Sequence, residues 1–272
     1  MESQTGESGK AIYLAEDVNQ ILYHLNTIPS IQIIAGGSQI SEVKEHSLSI
    51  KNAKELLLCE KHDRYIELGA AVSLSEILSL GKGNIPEVLF DAVSSIADPA
   101  IRNMATIGGN ICAKGQKHTL WAPLAALNAR VEVKNKKESL TFPISKFPGI
   151  QQGSLLTKIR IPLDEWEVSI FKKTGPSNYF TKDSSSFTFL ANIQNQLISN
   201  ARVAFAGSIL FYSSELENII TGSRLPLNEK SIGNLMEEAK KIYAKSIPKI
   251  ENENFVKDQF FNLLEMSLRQ LM

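Results

Sequence analysis

The sequence predicts an α+β protein made of two consecutive parts. In residues 17–28 the apolar side chains recur at the spacing of an amphipathic helix, and Pro29 ends the pattern. The apolar run 31–35 follows directly and indicates a buried strand. Near residue 163 the chain changes character, because strand-like segments are then followed only by helices. Strands grouped before helices are typical of an α+β domain, so we expect a domain boundary there.

Between the strand at 31–35 and this boundary, strand and helix patterns alternate. Residues 63–72 predict a half-buried strand, and a short helix is expected over 74–80. A stronger helix is predicted over 85–97, where Pro86 stands near the start and apolar residues line one side. Further strands are predicted as a pair within 129–144 and singly over 154–163.

The second part, residues 164–272, is expected to contain a three-stranded antiparallel sheet and two helices. The strands are predicted over 166–173, 187–198 and 201–211. Ser199 and Asn200 are predicted to turn the last pair. The apolar spacing then predicts amphipathic helices around 232–243 and 256–271.

Composition restricts the classes of function. Of the 272 residues 43% are hydrophobic, so the chain can bury a substantial core. Basic and acidic residues both number 29, which argues against a nucleic-acid binder. No apolar run is long enough to span a bilayer, and the polar segment 1–10 lacks the pattern of a signal peptide. Two cysteines rule out a disulfide framework or a four-cysteine site, so a reduced, cytoplasmic setting is expected.

The segment AGGSQI, residues 35–40, stands at the end of the predicted strand 31–35. A diphosphate is bound by several main-chain N–H groups at close range, and Gly36 and Gly37 would let the main chain approach it. The hydroxyl of Ser38 would add a donor. A tight turn without a ligand remains the alternative for this motif on its own.

A second segment of this kind is ATIGGNI, residues 105–111. Its glycine pair, 108–109, again allows close approach of the main chain, and Thr106 and Asn110 can donate and accept hydrogen bonds. Arg102 lies just upstream as a permanent cation. A loop that only turns the chain is again the alternative.

The remaining motifs predict no chemistry. GKGNIP, residues 81–86, follows a helix rather than a strand, so we expect a helix-ending turn. Glu67 and Glu76 are interpreted as surface carboxylates. The four histidines are scattered, and no nucleophile–base set or P-loop pattern occurs. We therefore predict no catalytic side chain and no metal site.

Four segments together resemble the FAD-binding domain of the molybdenum hydroxylase flavoproteins. They are AGGSQI (35–40), IELGAAVSLSEI (66–77), SSIADPAIRNMATIGGNIC (94–112) and PLAALNARVEV (123–133). The family includes the flavin (medium) subunits of xanthine dehydrogenase and of aerobic carbon monoxide dehydrogenase, and IRNMATIGGN matches its pattern at nearly every position. The resemblance is strong to residue 112. It is looser beyond, where FKKTG and ARVAFAG resemble the family's C-terminal domain.

The resemblance implies a two-lobed PCMH-type FAD-binding domain over 1–163, with subdomains of about 1–55 and 56–163. A C-terminal α+β domain would occupy 164–272. Residues 35–40 would wrap the FAD diphosphate and 106–110 would form a second binding loop, with Ile96 and Lys172 near the flavin ring. The implied cofactor-binding residues are Ala35, Gly36, Gly37, Ser38, Gln39, Ile40, Ile96, Thr106, Ile107, Gly108, Gly109, Asn110, Thr119 and Lys172. For Lys172 a solvated strand lysine is the alternative.

The segment CAKGQKHTLWAPL departs from the family pattern. Gly115 and Gln116 replace a Ser-Pro pair, and Thr119 stands where the family has an aspartate that holds the cofactor. Replacing a carboxylate by a hydroxyl loses roughly 1.5–3 kcal/mol of charge-assisted hydrogen bonding, or about tenfold to hundredfold in affinity. Other contacts, or only a solvated loop, would come from Lys114, Lys117 and His118.

The resemblance implies the FAD-binding subunit of a xanthine dehydrogenase-like oxidoreductase. Electrons would pass from 2Fe–2S clusters on a partner chain through FAD to NAD+ or another acceptor. A third chain would carry the molybdenum cofactor, giving a heterotrimer. The alternatives are a degenerate relative that acts as a scaffolding partner, and a phosphate-ester-binding enzyme unrelated to redox chemistry.

Overall fold

The structure is a computed structural model that describes residues 4–5, 9–113, 119–176, 181, 183–247 and 254–272. The strands in these residues are β1 (Gln4–Thr5), β2 (Ala11–Leu14), β3 (Gln32–Ile34), β4 (His46–Ser49), β5 (Cys59–Lys61), β6 (Tyr65–Gly69), β7 (Arg130–Lys134), β8 (Ser139–Pro143), β9 (Leu155–Pro162), β10 (Val168–Thr174), β11 (Ser185–Gln194), β12 (Leu197–Ala206) and β13 (Leu210–Tyr212). The α-helices are α1 (Val18–Thr27), α2 (Leu74–Ser79), α3 (Glu87–Ser94), α4 (Pro99–Met104), α5 (Ile107–Cys112), α6 (Trp121–Ala126), α7 (Ser214–Ile220), α8 (Glu229–Ser246) and α9 (Asn254–Arg269).

The chain folds into two compact units. Unit 1 is built from residues within 1–85, 97–113 and 128–163, and unit 2 from residues within 86–96, 114–127 and 164–272. The sequence predicted one boundary between 163 and 164. The units differ from that division, because α3 and α6 precede residue 164 and pack with unit 2.

Unit 1 contains two sheets. In the first, of order β1-β2-β4-β3, the strands β2, β4 and β3 run parallel. Helix α1 packs on this sheet because its apolar face, which includes Ile21 and Leu22, is buried with Leu48 of β4. Asp17 caps α1, since its side chain accepts the N–H of Gln20. The predicted helix and following strand are confirmed, and residues 35–40 leave the sheet at the carboxyl end of β3.

The second sheet of unit 1 has the order β5-β6-β9-β7-β8 and is antiparallel throughout. Helix α2 starts from a capping box made by Ser73 and Glu76 and ends before Gly81, whose φ of +82° is a left-handed helix terminus. The helix-ending turn predicted for 81–86 is therefore confirmed.

Unit 2 contains one antiparallel sheet of order β10-β11-β12-β13. One face packs on the C-terminal helices through an aromatic cluster in which Phe187, Phe205 and Phe211 contact Phe260 of α9. Strands β10, β11 and β12 overlap the three predicted strands, but their bounds differ, because the predicted strand 187–198 includes the hairpin turn and the predicted strand 201–211 spans β12 and β13. The sheet has a fourth strand, however, because the short β13 pairs with the end of β12.

The hairpin between β11 and β12 corrects a predicted turn. Asn195 and Gln196 make the turn, with φ of 53° and 61°, whereas Ser199 and Asn200 lie within β12. Two consecutive positive φ angles match the right-handed twist of the strands, and asparagine tolerates that conformation better than most residues. No helix among the described residues is long and apolar enough to cross a membrane.

Candidate functional site

The first glycine segment is a turn that requires glycine at two positions, for a different physical cause at each. A Cβ atom at Gly36 would overlap the main-chain carbonyl of Met104, so only glycine fits against the end of α4. Gly37 has a φ of +74°, which favours glycine for conformational reasons. The segment then turns back, because Ile40 donates its N–H to the carbonyl of Gly37 at 3.1 Å.

This turn carries a row of main-chain donors. Within the described part of the chain, no acceptor is bound by the N–H groups of residues 36–39. Ser38 and Gln39 are exposed, and Gly36 and Gly37 are partly so. Successive main-chain N–H groups in a turn can form an anion-binding concavity, and a diphosphate is an anion of that kind.

The second glycine segment is the start of helix α5 rather than a loop. Thr106 is its N-cap, and the Thr106 hydroxyl accepts the N–H of Gly109 at 3.0 Å. The other main-chain bonds are Ile107 N–H to Val72 O, Gly108 N–H to Ala70 O and Asn110 N–H to Thr106 O, at 3.0, 2.9 and 3.0 Å. Because all four N–H groups of 107–110 are already bonded inside unit 1, they cannot form the second main-chain cradle that the sequence suggested.

Close packing explains one glycine of this pair. A Cβ atom at Gly108 would lie 2.5 Å from the Ala70 carbonyl oxygen, so α5 can approach the turn after β6 only with glycine at this position. Gly109 is exposed, and Asn110 is half-buried. Met104, which contacts Gly36, precedes Thr106 by two residues. The two glycine segments therefore lie side by side in unit 1.

The other predicted cofactor-binding residues belong to unit 2. Ile96 is partly exposed and follows Ser95, the C-cap of α3. Thr119 is buried and lies just before α6, and Lys172 is exposed on β10. The family departures at Gly115 and Gln116, and the nearby Lys114, Lys117 and His118, lie outside the described residues.

Sequence reasoning missed a lysine next to one of these residues. Lys173 is half-buried, and its ammonium group donates to the Ser95 carbonyl at 3.0 Å. Burial lowers the pKa of Lys173. Two consecutive lysines in a strand point to opposite faces, and that alternation was the available signal that they differ in environment.

Glu67 corrects the interpretation as a surface carboxylate, whereas Glu76 is exposed as expected. Glu67 is 9% exposed and accepts hydrogen bonds from Arg160 at 2.6 and 2.8 Å and from Lys158 at 3.1 Å. Burial opposes ionisation of this carboxyl, but the hydrogen bonds from Arg160 and Lys158 outweigh it and lower its pKa. This cluster holds β6 to β9 and stabilises the sheet.

One group of possible metal ligands comes together among the residues that the structure describes. Atoms of Glu60, His62 and Glu67 lie within 4.8 Å of one another. Both carboxylate oxygens of Glu67, however, already accept hydrogen bonds from Arg160 and Lys158. Two adjacent cations disfavour a metal ion here, so this group provides no metal centre.

The chain is similar to several proteins in part of its sequence and in its fold. The chain is 32% identical over 150 residues to indole-3-acetaldehyde oxidase of Zea mays. The matched region makes up 50% of this chain and 11% of that protein. It is 28% identical over 169 residues to the xanthine dehydrogenase FAD-binding subunit of Escherichia coli O157:H7, covering 56% of each. The match thus spans about half the length of the second relative and a much smaller part of the first.

A solved structure of carbon monoxide dehydrogenase from Hydrogenophaga pseudoflava superposes with a TM-score of 0.79 and 16% identity, over 99% of this chain and 96% of that one. At this identity the likeness concerns the fold alone. The family model of the FAD binding domain in molybdopterin dehydrogenase matches residues 6–164, more than half of the chain. The chain therefore belongs to the family of FAD binding domains in molybdopterin dehydrogenases, and its cofactor is FAD.

Proposed function

We propose that the chain is the FAD-binding subunit of a xanthine dehydrogenase-like molybdenum hydroxylase. It takes electrons from 2Fe–2S clusters on one partner chain and delivers them to NAD+ or another acceptor, while another partner chain carries the molybdenum cofactor. The similarity to a xanthine dehydrogenase FAD-binding subunit supports this assignment. The organic substrate would be set by the molybdenum-bearing chain.

The observation that carries the proposal is the row of N–H groups at residues 36–39. These donors have no acceptor within the described residues, and they follow a strand of a parallel sheet at its carboxyl edge. We assign residues 35–40 to the FAD diphosphate, with Ser38 adding its hydroxyl. Bound FAD supplies both one-electron and two-electron chemistry, which suits a junction between iron–sulfur clusters and a hydride acceptor.

Further contacts are proposed outside residues 35–40. The exposed surface of Gly109 and the side chain of Asn110 would contact the cofactor, while the main-chain donors of 107–110 hold α5 in place. On the resemblance, we assign Ile96 and Lys172 to the surroundings of the flavin ring, where Lys172 would bring a positive charge. Thr119 would replace the family aspartate through a neutral hydroxyl. No side-chain acid or base is required, so we assign no catalytic residue to this chain.

The proposed functional domains remain 1–163 for FAD and 164–272 for the C-terminal domain, although the compact units divide the chain differently. A cytoplasmic location stays a prediction. The change from aspartate to Thr119 favours a second candidate, a degenerate non-catalytic relative with weak or no FAD binding that acts as an assembly or scaffolding partner. The two candidates differ in whether flavin is present and reducible.

The test is to isolate the chain at native expression levels together with whatever chains accompany it. The proposal predicts iron, molybdenum and flavin in the isolated complex. It also predicts bleaching of the visible flavin band when the complex meets a purine, an aldehyde or carbon monoxide, and no bleaching when the separate chain meets the same compounds. A complex without flavin would favour the scaffolding role, and substrate oxidation by the separate chain would contradict the division of labour.

A further inference from the structure

The two adjacent lysines of β10 lie on opposite faces of the unit 2 sheet. Lys172 pairs across the strands with Phe187, which contacts Phe260 of α9 in the core. Lys173 pairs with Ser186 and therefore points to the other face. On that face its ammonium group reaches Ser95 at the end of α3, with an Nζ–O distance of 3.0 Å.

This contact fixes the main chain just before Ile96. The last carbonyl groups of a helix lack partners within the helix, and a cation near them also interacts favourably with the helix dipole. Ser95 is the C-cap of α3, so Lys173 satisfies one of these carbonyls. Ile96 itself donates its N–H to Val93 at 3.1 Å, which keeps its backbone in the helix-ending turn.

The main chain is also held just after Ile96. Ala97 has a φ of +46°, a conformation that residues other than glycine rarely adopt. The Ala97 carbonyl accepts a hydrogen bond from the Arg102 guanidinium at 2.6 Å. Both neighbours of Ile96 thus have their carbonyl oxygens bound by a cation, which limits the positions that the Ile96 side chain can take.

We propose that Lys173 is a positioning residue for the flavin, because it holds Ser95 and thereby places the Ile96 side chain against the cofactor. The inference rests on the proposed FAD-binding function and assigns to Lys173 a role distinct from that of its neighbour Lys172. The contact between Lys173 and the Ser95 carbonyl fixes the main chain next to Ile96 before a ligand arrives, so it gives a pre-organised contact.

The test is a double-mutant cycle on the FAD dissociation constant of the full chain, with variants K173M, I96A and the double variant. K173M is expected to bind FAD about tenfold more weakly than the wild type, or about 1.4 kcal/mol. The double variant is expected to bind FAD as I96A does, since the positioned side chain is already gone. K173R should recover most of the affinity, and K240M, which changes an exposed lysine on α8, should bind FAD as the wild type does.

Two results would overturn the inference. Equal FAD affinity of K173M and the wild type would show that the contact has no role in binding. Additive losses in K173M and I96A would show that Lys173 acts independently of Ile96. If K173M does not fold, K173Q takes its place in the same cycle. Failure of the wild-type chain to bind FAD is the separate result that would overturn the proposed function itself.

Discussion

Gly36 lies so close to the main-chain carbonyl of Met104 that no side chain fits between them. This contact joins the turn after β3 to the end of α4, two residues before the cap of α5. The turn with the row of N–H donors is therefore held in place by the segment that carries the second glycine pair. Its position depends on packing within unit 1 and not on the turn sequence alone.

The substitution G36A tests this contact. A methyl group here must displace main-chain atoms, so we expect the free energy of unfolding to fall by about 1–3 kcal/mol and FAD affinity to fall with it. Urea unfolding and FAD titration measure the two effects. The matched control is G83A, because Gly83 has nothing within 4 Å of its Cβ position and should tolerate alanine. An unchanged G36A protein would contradict the close packing.

The substitution T106V tests the cap of α5. Valine keeps the volume of this buried residue but removes the hydroxyl that accepts the Gly109 N–H. We expect T106V to lower the free energy of unfolding by about 0.5–2 kcal/mol, which is the usual range for losing an N-cap. T106S retains the hydroxyl and should lose much less. Equal losses in the two variants would mean that the hydroxyl does not stabilise the helix.

The Glu67 cluster predicts a pH-dependent contribution to stability. The pKa of the Glu67 carboxyl is lowered in the folded state. The stabilisation that its ion pairs give to the fold is therefore present above the unfolded pKa of roughly 4.3 and is lost as pH falls through the folded pKa. At about pH 7 we expect E67Q to be destabilised by about 1–2 kcal/mol, a discounted figure because Arg160 and Lys158 are 51% and 41% exposed.

Unfolding measured across pH checks this prediction. The difference between E67Q and the wild type should shrink as pH falls below the unfolded pKa of roughly 4.3, and it should be smallest below the lowered folded pKa, where the Glu67 carboxyl is protonated in both states. The control E60Q, on the neighbouring strand, should show a much smaller difference. A difference for E67Q that stays constant across pH would contradict the ion-pair explanation.

Glu217 gives the opposite pH dependence. It is 3% exposed, and burial raises its pKa although Arg202, at 2.9 Å, partly offsets the effect. The R202M variant leaves this carboxylate buried without its cation, so we expect a loss of about 3–5 kcal/mol at neutral pH. The loss relative to the wild type should grow as pH rises through the raised folded pKa of Glu217, because the carboxyl then ionises in the wild type but is harder to ionise in R202M. The control R224M, at an exposed position, should change little, and a pH-independent loss in R202M would count against this cause.

Local patterns were enough to predict the elements but not the contacts between them. The helix at 17–28 and the strand at 31–35 follow from periodicity and from Pro29, and both are present. The two glycine segments look alike in sequence, yet one is a turn with unbonded donors and the other is a helix start. The pattern of Thr106 followed by a helical turn was available as a capping signal. The contact between Gly36 and Met104 had no local signal.

Strand register explains the other differences. Glu67 stands between two buried residues of β6, and its burial follows only once β9 is aligned so that Arg160 pairs with it. Similarly, both Asn195-Gln196 and Ser199-Asn200 are polar pairs, and the choice between them depends on the pairing of β11 with β12. Strand register is set by packing across the whole sheet, so it cannot be predicted from the sequence of one strand alone.

The central claim is that main-chain N–H groups of residues 36–39 hold the diphosphate of FAD. Titration of the purified chain with FAD, FMN and riboflavin tests it most directly, because only FAD contains a diphosphate. We predict one FAD per chain and binding of FMN and riboflavin at least about a hundredfold weaker, a difference of about 2.7 kcal/mol. Equal binding of the three compounds, or a chain that binds none of them, would contradict the claim.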